Sequence, residues 1–276
     1  MDSTVKAALR DLFPGEQLDS RQQSLARWVP YAWKVLDLGV YVSNLELLGQ
    51  RAGGNLLLSM KSRFYGNQDS RRSPVLPLAA RAAGIRGFCV AGINEARDLR
   101  DCGMDEDRII LLYRECAEGG NIEEALELDV ELFVTSMEEA RDISDLVMGL
   151  CKSRGEDIPC ARIHVFADTG MSRGGLPARD AGEIEQTVES ILSINALPGL
   201  NIVGLAMHFA AADAKDVTSA KAHFANYLQI LTGIYTAPDG KAVRPECLHV
   251  ANSAALLQLP ETLDPCLLYT SDAADE

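Results

Sequence analysis

The chain has 276 residues, 47% hydrophobic and 24% charged, with 26 Lys and Arg against 40 Asp and Glu. That is globular composition, long enough for one large α/β domain or two smaller ones. A formal net charge of −14 repels polyanions and argues against nucleic acid or an anionic membrane as partner. No run approaches the roughly 18 apolar residues of a membrane span. Charges scattered through residues 1–30 leave no secretory apolar segment, so a reducing cytoplasm is the expected location.

Residues 1–30 read as a polar, partly helical lead-in broken at Pro14-Gly15. Trp33–Leu38 alternates as a strand does, and Val42–Leu48 reads as helical. Short apolar runs then alternate with amphipathic stretches. Strand Leu56–Met60 precedes helix Leu76–Ala83, Gly87–Ala91 precedes Ile93–Cys102, and Ile109–Tyr113 precedes Ile122–Leu128. Glu131–Thr135 precedes Met137–Leu150, Arg162–Ala167 precedes Ala181–Ser193, and Ile202–Phe209 precedes Val217–Ile234. Cys247–Ala251 precedes Ser253–Leu257. Strands with few polar breaks, alternating with helices, predict a parallel sheet covered by helices. Seven such units suit a (β/α)8 barrel of about 250 residues better than an open doubly wound sheet. The count is one strand short.

Seven cysteines (Cys89, Cys102, Cys116, Cys151, Cys160, Cys247, Cys266) show no CxxC spacing. Their odd number and apolar settings, as in Phe88-Cys89-Val90, read as small buried hydrophobes, not disulfides. The four histidines also lack ligand spacing, so no metal is expected.

In a barrel the chemistry sits where strands end and loops begin. The first strand runs into Lys61-Ser62-Arg63-Phe64-Tyr65-Gly66. A lysine leaving an apolar strand either snorkels outward or sheds its proton, and an uncharged lysine is a Schiff-base nucleophile. The fifth strand ends in Asp168-Thr169-Gly170-Met171-Ser172-Arg173-Gly174-Gly175. There the glycines permit a tight turn and Arg173 can meet an anion. The sixth ends in Met207-His208-Phe209; taken alone, His208 reads as a core histidine. The seventh gives His249-Val250-Ala251-Asn252-Ser253-Ala254. Asn252 or Ser253 can cap the following helix, whose N-terminus also suits a phosphate. A nucleophilic amine, an anion-binding arginine, a flat imidazole and a phosphate seat together describe a pyridoxal 5′-phosphate site.

These segments resemble, in order and spacing, the motifs of the alanine racemases from about Trp33 to Asp264. Lys61-x-x-x-Tyr65-Gly66 looks like their cofactor-lysine motif, and Asp168-Thr169-Gly170-Met171-x-Arg173 like their D-T-G-M-x-R run. His208 falls in an S-H-F-A-like segment, and His249-Val250-Ala251-Asn252-Ser253-Ala254 is close to H-L-A-N-S-A. The resemblance implies a TIM-like barrel over residues 31–265 and racemisation of alanine, which supplies D-alanine for peptidoglycan. It implies that Lys61 carries pyridoxal 5′-phosphate as a Schiff base and serves as one of two proton-transfer groups. Tyr65 and Ser253 would contact the cofactor phosphate. Arg173 would reach the cofactor's phenolic oxygen and the substrate carboxylate. His208 would lie against the pyridine ring, with Asn252 and His249 supporting the site. Two further readings stay open: a non-catalytic pyridoxal-phosphate-binding barrel, and a racemase for serine or another small amino acid.

Three departures stand out. Phe166 occupies the place of a lysine that the family often modifies with carbon dioxide to orient the arginine. Phe64 is bulky where the family has a small residue. The resemblance also places an eighth strand, a β-rich domain and a partner-subunit tyrosine after the seventh unit, within a homodimer. Here Cys266–Glu276 instead resembles the translation of a transposon-end sequencing adapter, so residues 266–276 are expected to be a non-native tail. Without the eighth strand the sheet is expected to leave two edges unpaired, beside the first and seventh strands.

Overall fold

A computed structural model describes residues 36–61, 75–112, 120–155, 158–238, 240–263 and 270–271. Helix α1 (Leu38–Arg51) leads into β1 (Leu56–Ser59), α2 (Val75–Ala82), β2 (Gly87–Val90), α3 (Ile93–Asp101) and β3 (Arg108–Leu111). There follow α4 (Gly120–Glu127), β4 (Glu131–Val134), α5 (Met137–Arg154), β5 (Ala161–Asp168) and the two-residue β6 (Leu176–Pro177). The chain continues through α6 (Ala181–Asn195), β7 (Leu200–Ala206), α7 (Thr218–Tyr235), β8 (Cys247–His249) and α8 (Ser253–Gln258). A 3-10 turn (Pro260–Leu263) precedes the two-residue β9 (Thr270–Ser271).

The strands pair in the order β8-β7-β5-β4-β3-β2-β1-β9, with β6 beside β5. Every pairing is parallel. Cα atoms of β8 and β9 come within 8 Å of each other, so the sheet curls round on itself. This is the parallel barrel wall that the alternation of apolar runs predicts, with all seven strand–helix units in place.

Alternation along each strand divides the interior in two. Leu58, Phe88, Val90, Ile109, Leu111, Leu132, Val134, Ile163 and Val165 belong to the large core beneath the helices. On the opposite face, Leu57, Cys89, Ile110 and Cys247 form a small cluster inside the barrel. Each strand is therefore buried on both sides, which is why its sequence lacks a polar stripe. Arg51, at the end of α1, donates from Nε and Nη2 to the carbonyls of Leu256 and Leu257, at 2.7 and 2.8 Å. A cation thus satisfies carbonyls at the end of α8 and ties the first helix to the last.

Three expectations are corrected. Leu36 and Asp37 are not in a strand, and Leu38 opens a helix. The cause is local: Asp37 caps that helix, its Oδ1 accepting from the Val40 amide at 3.1 Å. The rest of the expected strand, Trp33–Val35, lies outside the described residues. The edge of β1 is paired, because Leu56 and Leu57 stand in register with Thr270 and Ser271. Cys160 is exposed and Cys102 and Cys151 are half-buried, while Cys89 and Cys247 are buried as expected. Among the described residues, no helix is long and apolar enough to cross a membrane.

Candidate active site

The C-terminal ends of the strands surround a cavity of about 250 Å³. It is lined by Lys61, Arg173, His208 and His249 together with Phe133, Thr135, Glu139 and Phe166. Four of the residues singled out from sequence therefore meet in one place. Lys61 is half-buried just past the end of β1, and the exposed Arg173 stands on the loop after β5. His208 is buried two residues past β7, and His249 is buried as the last residue of β8.

Asn252 and Ser253 follow His249 by three and four residues, at the start of α8. Asn252 caps α8 through a hydrogen bond from the Ala255 amide at 3.0 Å, and Ser253 is the first residue of that helix. Neither lines the cavity. Tyr65 and Phe64 lie outside the described residues.

The loop that carries Arg173 is built by its own first residue. The Asp168 Oδ1 accepts from the amides of Gly170 (3.1 Å) and Ser172 (2.9 Å), folding the backbone over the carboxylate. Ser172 sits in the left-handed region at φ 59°. Gly175, at φ 103°, has no room for a side chain: a Cβ would fall 2.6 Å from Cδ1 of Phe166. The loop therefore presses on Phe166, whose ring packs at 5.6 Å, centroid to centroid, against Phe133. An aspartate-organised turn, packed on Phe166 and through it on Phe133, thus carries Arg173 to the cavity.

A second strand–helix corner closes the cavity beside Phe133. Ser136 caps α5, its Oγ accepting from the Glu139 amide at 3.1 Å. The Glu139 carboxylate turns back to accept from Thr135 N and Oγ1, at 2.7 and 2.8 Å. Thr135 and Glu139 thus line the site while serving the helix start.

Two buried polar residues were missed by the motif reading, Glu131 and His164. The His164 Nε2 lies 2.5 Å from Glu131 Oε2, and its Nδ1 lies 2.9 Å from Nε2 of His249. Arg108 Nε contacts Glu131 Oε1 at 3.1 Å, and Arg162 pairs with the same oxygen. Burial alone would push the Glu131 carboxyl up, but His164, Arg108 and Arg162 together bring it below its usual range. Burial lowers His164 despite the neighbouring carboxylate, and holds His249 well below the ordinary imidazole range. A signal was present in the sequence. His164 shares strand parity with Phe166 and Asp168, so it had to face the barrel interior.

His164, Cys247 and His249 also bring three ligand-type atoms within 4.8 Å of one another, a grouping that spacing along the chain did not reveal. The two ring nitrogens are at hydrogen-bond distance, and burial pushes the Cys247 thiol up to about 12.

Residues 36–266 match the family model described as "Alanine racemase, N-terminal domain". The chain is 29% identical over 233 residues to an alanine racemase of Clostridium perfringens (strain SM101 / Type A), covering 83% of this chain and 54% of that protein. It is 30% identical over 237 residues to an alanine racemase of Desulfosudis oleivorans, covering 84% of this chain and 56% of that one. The chain thus spans a little over half the length of the curated relatives it matches. Among solved structures, alanine racemase from Streptomyces coelicolor A3(2) superposes with a TM-score of 0.69 at 27% identity, covering 87% of this chain and 57% of that one. The enzyme from D-cycloserine-producing Streptomyces lavendulae gives 0.68 at 27%, covering 86% and 56%. Matched along most of its length, with the same parallel barrel, the chain belongs to the alanine racemase N-terminal domain family.

Proposed function

We propose that the protein interconverts L- and D-alanine using pyridoxal 5′-phosphate held at Lys61. The observation that supports this reading is the meeting of Lys61, Arg173 and His208 around one cavity at the strand C-termini. The residues present fit the cofactor: an amine for its aldehyde, a guanidinium for its phenolic oxygen, and a flat imidazole for its ring. Ser253, at the start of α8, would contact its phosphate together with Tyr65, while Asn252 holds the start of that helix. The bound cofactor supplies the electron sink that acidifies the substrate's α-carbon.

The chain's own residues do the rest. Arg173 would hold the substrate carboxylate and so fix which face of the α-carbon meets Lys61. Lys61 would take or return the α-proton on that face. Racemisation needs a second acid–base group on the opposite face, and a tyrosine of a homodimeric partner is the proposed source. Phe133 and Phe166 close one wall and exclude water from the reacting carbon. The cytoplasm is the proposed compartment, with the D-alanine made there passing to peptidoglycan.

The deciding experiment is borohydride reduction of the cofactor-loaded protein, followed by peptide mapping and chiral analysis of alanine. The expected result is an adduct on the peptide containing Lys61 and racemisation abolished by Lys61→Ala. An adduct on another peptide overturns the assignment of Lys61. Cofactor held at Lys61 by the protein as it occurs in its native length, without turnover of alanine, overturns the racemase reading in favour of a binding barrel.

A further inference from the structure

The barrel axis carries a polar system that the proposed chemistry does not use. Glu131 on β4, His164 on β5 and His249 on β8 all project into the barrel and form one hydrogen-bonded chain. At one end, Glu131 lines a cleft of about 470 Å³ at the N-terminal ends of the strands, with Arg108, Arg162 and Glu246. At the other, His249 lines the active-site cavity. The chain of a carboxylate and two imidazoles therefore runs through the barrel from mouth to mouth.

The proton positions follow from which groups can donate. A carboxylate only accepts, so the hydrogen between it and His164 sits on His164 Nε2. A neutral His164 then has a bare Nδ1, which accepts from His249 Nε2–H. That leaves His249 Nδ1 as a bare acceptor. The alternative, a charged His164 donating at both nitrogens, would bury a third cation beside Arg108 and Arg162.

We propose that Glu131 and His164 are positioning residues that fix His249 as its uncharged Nε2–H tautomer, leaving Nδ1 to accept a hydrogen bond at the cavity wall. The groups around this chain are Arg108 on β3, Arg162 on β5, and Cys247 and Glu246 at β8, with Lys61, Arg173, His208 and Glu139 across the cavity. With Arg173 already in the cavity, a neutral His249 keeps a further positive charge away from the reacting centre. That catalytic consequence rests on the racemase reading; the tautomer does not.

Histidine side-chain nitrogens report the tautomer directly in long-range 1H–15N correlation spectra of the full chain without cofactor. Both His164 and His249 are expected as neutral Nε2–H rings, unchanged between pH 6 and 8.5. A His249 protonated at Nδ1, or titrating near the ordinary midpoint of about 6.5, overturns the proposal. So does a saturable shift of both rings on adding zinc, which would make His164, Cys247 and His249 a metal site. In Glu131→Gln, the amide can donate as well as accept, so the His249 signal is expected to split into two tautomers. In the cofactor-loaded protein the same variant is expected to bind cofactor about tenfold more weakly, with Glu131→Asp restoring most of the loss. An unchanged His249 spectrum in a folded Glu131→Gln protein overturns the relay. Should that variant not fold, the wild-type spectra decide alone. Loss of the racemase reading would show as absent turnover with the wild-type tautomers intact.

Discussion

His164 packs so closely on Gly204 that residue 204 has no room for a side chain. A Cβ there would lie 1.8 Å from His164 Nδ1 and 2.5 Å from Cε1. The approach is made possible by an irregularity in the pairing of β5 with β7. Ile163 stands opposite Ile202, but His164 stands opposite Gly204, so β7 carries one extra residue. The bulge brings a glycine to the face of the imidazole, and the imidazole can then reach both Glu131 and His249.

Gly204→Ala is therefore expected to displace His164 and break its two hydrogen bonds, in addition to overpacking the barrel interior. Overpacking of this kind costs about 1–3 kcal/mol. Urea unfolding should show a lowered midpoint with an unchanged slope. A variant as stable as wild type, with unaltered histidine spectra, would show that His164 has room to move.

The strands were legible because burial on both faces leaves runs such as Leu56–Leu58 and Ile109–Leu111 without polar breaks. The ends of those strands were legible for a different reason: Lys61, Arg173 and His208 are polar residues that follow apolar runs. Glu131 was hidden because it opens a strand, where a carboxylate reads as a solvated boundary residue. Its partners, Arg108 on β3 and Arg162 and His164 on β5, stand on the two strands that flank β4, a neighbourhood set by strand order and register and not by spacing along the chain. His164 sits inside an apolar run and belongs to no motif, and its ring nitrogens are paired within the barrel. The pairing of Thr270–Ser271 with β1 uses backbone groups that any sequence offers.

Asp168 should matter through Arg173 more than through the fold. Asp168→Ala removes the acceptor for two backbone amides, a loss of about 2 kcal/mol for hydrogen bonds to a charged group. The loop then no longer presents Arg173 to the cavity. Cofactor or substrate affinity is expected to fall about tenfold, equivalent to about 1.4 kcal/mol, with kcat changed less than KM. An effect on stability alone, with both affinities intact, would separate Arg173 from the turn that carries it.

The described cysteines should sort by exposure. Cys160 is exposed, so an aromatic disulfide reagent is expected to titrate it in the folded protein. Cys89 and Cys247 are buried, and burial pushes the Cys247 thiol up to about 12. Neither should react until urea unfolds the chain, as mass mapping of the labelled peptides will show. Fast labelling of Cys247 under native conditions would mean that the barrel opens at β8.

Acid should destabilise the protein earlier than its carboxylates would. Burial keeps His164 below its ordinary range and His249 well below it. In the unfolded chain both protonate around pH 6.5. A group whose folded-state value is depressed binds more protons unfolded, so stability is lost as pH falls through the unfolded value. Two such rings give a slope of up to about 2.7 kcal/mol per pH unit below that point. Glu131 is lowered as well, so its contribution is present above the unfolded carboxylate value of about 4.3 and lost only in stronger acid. The urea midpoint should therefore be flat between pH 8.5 and 7 and fall between 6.5 and 5. His249→Gln, with one ring fewer to protonate, should show a shallower fall. A midpoint constant down to pH 5 would mean that the two imidazoles already share a proton in the folded barrel, contrary to the neutral chain that links Glu131 to the cavity.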